Sequence, residues 1–76
     1  MRPGAIVQRL VVQNARGRWL TTCSQLSAGT VAAAERRVRD RGFGRVLVEH
    51  RWRLLDQAGV VVAEGEPEQA ASGRWD

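Results

Sequence analysis

Apolar and polar positions alternate along most of this chain, interrupted by one stretch with a helical period. From Ala5 to Gln13 the residues are rich in β-formers, and Asn14-Ala15-Arg16-Gly17 follows with an Asx residue first and a glycine last. That order is the signature of a type I turn closed by a glycine bulge, so a hairpin is predicted with Asn14 opposite Arg18. In that register Val12 faces Leu20, Leu10 faces Thr22 and Ile6 faces Leu26, which gathers most of the large aliphatics on one side. The opposite side then shows Val7, Arg9, Val11, Trp19, Thr21 and Cys23, a mixture that a fully solvated face does not usually carry.

After Leu26 the period changes. Ser27 is placed to cap the free amides of a first helical turn, with Leu26 and Val31 at the two positions of a hydrophobic staple. A helix is predicted over 28–41, with Val31, Ala34 and Val38 as its apolar stripe and Gly42 at its C-terminal cap. Glu35 with Arg39 and Arg36 with Asp40 stand at i,i+4 on its surface. A third strand is predicted over 45–55, where Val46, Val48, His50, Trp52 and Leu54 alternate with Leu47, Glu49, Arg51, Arg53 and Leu55. Asp56-Gln57-Ala58-Gly59 repeats the earlier turn pattern, and Val60 to Glu64 supplies the return strand.

The order ββαββ implies an α+β fold, a four-stranded antiparallel sheet with one helix packed on one face. The helix-side core would comprise Ile6, Leu10, Val12, Leu20, Leu26, Val31, Ala34, Val38, Phe43, Val46, Val48, Trp52, Leu54 and Val62. No second layer is left to cover the other face, so Arg9, Val11, Trp19, Cys23, Leu47, Arg51, Arg53, Leu55 and Val61 would be open. Residues 1–64 form the single expected domain. Residues 65–76, acidic, small and Pro-containing, form an expected flexible tail that ends in Arg74-Trp75-Asp76.

Composition narrows the chemistry. A chain of 76 residues builds one small core and has little room for a deep cofactor cavity. One cysteine, Cys23, and one histidine, His50, give neither a disulfide nor a zinc site, and they would lie on opposite faces without an orienting carboxylate. No carboxylate cluster suited to a divalent cation and no phosphate-cradling glycine motif is present. The expectation is a protein that is not an enzyme and carries no cofactor or metal. No apolar run reaches the roughly 20 residues of a membrane span, and Met1-Arg2-Pro3-Gly4 leads into an alternating segment rather than a signal peptide, so a cytoplasmic location without membrane contact is expected.

All 12 basic residues are arginine. Residues 1–53 carry eleven of them against three carboxylates, and residues 54–76 carry one against five, so the net charge of +4 conceals a basic body and an acidic end. Arg36, Arg37, Arg39 and Arg41 crowd the C-terminal half of the expected helix, where they either answer the helix dipole or contact a partner. Arg and Trp interleaved on an open sheet suit base stacking and phosphate clamping, or an anchor for a protein partner. Candidate partner-binding residues are therefore Arg9, Trp19, Arg51 and Arg53 on the sheet and Arg36, Arg37 and Arg39 on the helix. They suit either a protein-binding module or a small Arg-rich nucleic-acid-binding module, as monomer or homodimer.

A hairpin, an Ala-rich basic helix and a second hairpin in a chain of this length resemble the small phage-encoded anti-CRISPR proteins that inhibit type I surveillance complexes. The resemblance spans residues 5–64 by architecture, with Val12-Gln13-Asn14, Ala28-Gly29-Thr30 and Arg74-Trp75 as similar local features. It implies a non-enzymatic inhibitor in the cytoplasm of a bacterial host, docking on a Cascade-like CRISPR effector ribonucleoprotein and obstructing target-DNA recognition. Many such inhibitors are acidic mimics of DNA, whereas this body is basic. Here the resemblance implies contact with acidic patches, with the guide RNA or with the DNA itself.

Overall fold

A computed structural model describes residues 4–67, and within them the chain folds as β1 (Val7–Gln13), β2 (Trp19–Cys23), α1 (Val31–Asp40), α2 (Gly44–Glu49), β3 (Trp52–Asp56) and β4 (Val61–Gly65). The four strands make one antiparallel sheet in the order β2-β1-β3-β4, and the fold is α+β. The two hairpin turns are the same device used twice. In the first, Asn14 donates its N–H to the Arg18 carbonyl at 2.8 Å, while its Oδ1 accepts from the N–H groups of Arg16 and Arg18. In the second, Asp56 donates to the Val60 carbonyl at 2.9 Å, and its Oδ1 accepts from Ala58 and Val60. Gly17 and Gly59 supply the positive φ, 85° and 84°, that closes each turn.

Register between the strands is set by three bulges. Leu10 pairs with Cys23 but Val11 with Thr21, so Thr22 is the extra residue of β2. Gln8 is skipped in the same way between β1 and β3, and Val62 between β4 and β3. The expected pairing of Val12 with Leu20 holds, whereas Leu10 meets Cys23 rather than Thr22. Ile6 does not face Leu26; instead Val7 and Ala28 exchange two backbone hydrogen bonds, at 2.8 and 3.0 Å. Cys23 thus joins the core and is not on the open face.

The first helix begins later than its composition suggests. Thr30, not Ser27, is the N-cap, and its side chain accepts from the Ala33 N–H at 3.1 Å. Residues 24–30 instead run beside β1 as an irregular strap that buries Leu26 and Ala28. Gln25 and Ser27 hold positive φ values of 55° and 50°, and two arginines one helical turn apart, one on α1 and one at its C-cap, secure this conformation. Arg37 donates to the carbonyls of Leu26 and Ser27, and Arg41 to those of Ser24 and Gln25. Two guanidinium forks therefore take four consecutive carbonyls that no strand claims.

The C-terminus of α1 follows expectation. Gly42, at φ 90°, donates to the Arg39 carbonyl and Phe43 to that of Val38, the paired bonds of a Schellman motif. Beyond it, the strand expected over 45–55 begins only at Trp52, and Gly44–Glu49 is a short helix, α2, with Leu47 buried and Arg45 paired with Glu49 at 3.0 Å. The reason lies in the length of the neighbouring strand. β3 pairs with β1 only as far as the bond from the Gln13 N–H to the Arg51 carbonyl, because β1 ends there in its turn. Earlier residues would extend past the hairpin with no partner for their backbone groups, and a helix satisfies those groups internally. Leu47 consequently points into the core, not the open face, while Val48 and Phe43, 40% and 38% exposed, do not join the core as expected.

The core lies between the sheet and the two helices, built from Val7, Leu10, Val12, Cys23, Leu26, Ala28, Ala34, Val38, Leu47 and Leu54. Full burial of an aliphatic side chain such as Leu10 or Leu54 contributes about 1.5–3 kcal/mol. Trp52 packs along the edge of this core, and its indole lies over Gly65, its cross-strand partner. A Cβ at Gly65 would come within 2.4 Å of the indole ring, so the aromatic occupies the space a side chain would need. The sheet continues through Gly65, past the expected start of the tail at 65; residues 68–76, including Trp75, lie outside the described residues.

Gly65→Ala forces the Trp52 ring aside and is expected to lower unfolding free energy by about 1–3 kcal/mol. A urea titration measures the change. Arg37→Met keeps the aliphatic stem but releases two carbonyls of the strap, with an expected loss of about 1–3 kcal/mol in the same assay.

Candidate functional site

The face of the sheet away from the helices is arranged by the same bulged registers. Arg53 stands between Val11 on β1 and Glu64 on β4, and Gln13 stands opposite Trp19 on β2. Leu55 adjoins Arg9 and Val61 at the far end. The Arg53 guanidinium lies 4.2 Å from the centroid of the Trp19 ring, and its Nε donates to Glu64 Oε1 at 3.2 Å. Val11, in the middle of this open face, is only 9% exposed. Stacked, long side chains rather than a second layer cover it.

Arg51, the residue before β3, repeats the ion pair, donating from Nε to Glu66 Oε1 at 2.9 Å. The arginine of β3 and the one just before it are therefore each answered by a glutamate of the next strand or just beyond it. Both pairs are at least one-third exposed, so each is a weak contribution to stability, and the consequence that matters is that these cations are positioned and partly neutralised.

The expected site residues separate into three groups. Trp19, Arg51, Arg53 and Arg9 do share the open face, with Arg9 exposed at the apolar end beside Leu55. Arg36 and Arg39 lie exposed on α1, the latter 3.5 Å from Glu35. Arg37 is a correction: its guanidinium is turned to the strap carbonyls, so it holds the fold together instead of facing a partner. Glu64 and Glu66 are the residues that sequence reasoning missed. Counting back from the Asp56 turn without a bulge sets Arg53 opposite Ala63 and sends Glu64 to the core side, and that misplaced carboxylate is the signal that a bulge must intervene.

Cys23 is 4% exposed within the core. Burial pushes its thiol pKa up, opposed by the nearby charge of Arg41 and by a hydrogen bond from it. His50 ends α2 and does not sit on a strand, which removes the geometry expected for the Cys23–His50 comparison. Among the described residues no three His, Cys, Asp or Glu side chains converge as a metal site, and no helix is long and apolar enough to cross a membrane.

Comparison of the chain with protein-family models, with curated proteins and with solved structures finds no match.

A thiol whose pKa is raised by folding stabilises the native state fully below the unfolded thiol's pKa and less as pH climbs above it. The chain has no Lys and no Tyr, so beyond the α-amino group Cys23 is the group titrating in this window. Unfolding free energy is expected to fall above about pH 8.5 in the wild type. In Cys23→Ala it is expected to stay level over the same range, which paired urea titrations from pH 7 to about pH 10.5 will measure.

Proposed function

We propose that this protein is a non-enzymatic protein-binding module that engages its partner through the open face of the sheet. The supporting observation is the Trp19–Arg53–Glu64 arrangement, in which an indole and a guanidinium are held in place before any partner arrives. Such planar groups lose little conformational entropy on binding, and pre-organisation adds to that advantage. Val61, 43% exposed, and Leu55 give the face an apolar end, and Arg51 and Arg9 give it a polar margin.

Charge favours a protein over a nucleic acid at this face. A phosphate-tracking surface needs cations free to neutralise phosphates, yet Arg51 and Arg53 each already meet a glutamate. Arg37, expected on the helix surface, is turned to backbone carbonyls. The specific form of this reading is the inhibitor type, cytoplasmic and docking on a type I Cascade-like effector complex so that target DNA is not recognised. Its support is the resemblance read from the ββαββ order, to which the fold adds the short helix α2, together with an exposed face bearing both an apolar group and ordered cations.

A tagged wild-type chain is expected to retain a purified type I effector complex, with Trp19→Ala and Arg53→Glu reducing retention by roughly tenfold or more while melting temperatures stay close to wild type. Equal retention by both variants overturns the face. Binding of labelled DNA or RNA that is micromolar at physiological salt and is removed by reversing Arg36 and Arg39 favours the nucleic-acid module instead.

A further inference from the structure

The two outer strands of the sheet are not alike. β4 bulges at Val62 and carries Glu64, with Glu66 just beyond its end, the kind of irregularity and charge that keeps an edge from pairing. β2 has no proline and no charge between Trp19 and Cys23, and its pairing is regular over Trp19, Leu20 and Thr21 before the extra residue Thr22. The bond from the Asn14 N–H to the Arg18 carbonyl marks a hydrogen-bonded pair. Because such pairs alternate along an antiparallel ladder, Leu20 bonds to β1 in its turn, and the N–H and C=O groups of Trp19 and Thr21 point to the outer edge.

The side chains and charges around this edge point the same way. Thr21 is exposed, and Leu20 is 48% exposed although it lies on the helix side of the sheet, so the helices leave this margin uncovered. The hairpin tip next to it carries Arg16 and Arg18. Both are exposed and, among the described residues, neither meets a carboxylate, whereas Arg39, Arg45, Arg51 and Arg53 each do. Unanswered positive charge thus sits beside unanswered backbone.

We propose that the outer edge of β2 receives an acidic, extended segment of a partner protein as a fifth strand, paired over Trp19–Thr21, with Arg16 and Arg18 taking its carboxylates. The inference rests on the reading of the protein as a protein-binding module and names the chemistry of its partner. Main-chain bonds at Trp19 and Thr21 supply the affinity common to any added strand, and the two arginines select for acidity. Trp19 on one face and Leu20 on the other flank the incoming backbone, so a segment alternating carboxylate and aliphatic residues fits both sides. The bulge at Thr22 limits the pairing to a short stretch.

The test uses the full chain and a fluorescein-labelled peptide of alternating Glu and Val, with a Lys-Val peptide as control. Anisotropy is expected to give micromolar binding of the acidic peptide and none of the basic one. Thr21→Pro, which removes one outward N–H, and the Arg16→Glu/Arg18→Glu pair are each expected to weaken binding by roughly tenfold. In the wild type, amide exchange at Trp19 and Thr21 slows when the acidic peptide is present, a readout that needs no variant to fold. Undiminished binding in both variants, or unchanged exchange at those two amides, overturns the proposal. A concentration-dependent dimer in light scattering that Thr21→Pro abolishes, with no peptide binding, overturns it in favour of a second copy of the chain at the same edge. Capture of the effector complex that is lost in Trp19→Ala but undiminished in Thr21→Pro overturns the edge proposal and leaves the open-face reading standing.

Discussion

A sheet covered on one side only accepts a polar side chain at an inward position when its polar atoms find partners, as the buried Asp56 carboxylate does in the N–H groups of Ala58 and Val60, and this requirement shapes β1, β2 and β4 as well. Strict alternation outward from each turn would send Gln8, Thr22 and Glu64 into the core. At each place the chain inserts one extra residue, and the inward position passes to Val7, Cys23 or Ala63 instead. The three bulges are therefore corrections of the same conflict between an imperfect binary pattern and a single core. Each also re-aims the residues beyond it: the last of them puts Glu64 beside Arg53 on the open face.

The hairpins were legible because their turns are determined locally. An Asx side chain that accepts two backbone N–H groups and a glycine three residues on are visible in four letters, and both turns form as written. The stripe of α1, its glycine stop and the Glu35–Arg39 pair were legible for the same reason. The strap over 24–30 was not, because its conformation depends on Arg37 and Arg41, which are distant in sequence and whose role as carbonyl donors leaves no mark in the strap itself. Residues 45–49 alternate well enough for a strand; what decides against it is the length of β1, a property of another element. Of the open face, Trp19, Arg51 and Arg53 could be placed by alternation alone, whereas their glutamate partners needed the bulge.

Arginines among the described residues serve in at least three ways. Arg37 and Arg41 serve as donors to an irregular backbone, Arg51 and Arg53 are held by glutamates along the sheet, and Arg16 and Arg18 project from a turn with no carboxylate to meet among the described residues. Net charge alone would treat all of them as one basic surface. Sorting them by what each guanidinium touches separates the residues that build the molecule from those left to act outside it, and reduces the apparent basicity of the sheet face.

The sheet order also divides the assembly of the fold into steps of very different reach. Each hairpin closes over a handful of residues, a microsecond event guided by its own turn. The central seam between β1 and β3 joins Val12 to Trp52, roughly forty residues apart, a far larger loop to close than either turn. The strap pinned by Arg37 and Arg41 fastens α1 alongside β1 on the side away from β3. The molecule is in this sense two locally closed hairpins joined by one long-range seam, the kind of contact whose sequence separation weighs most on folding rate.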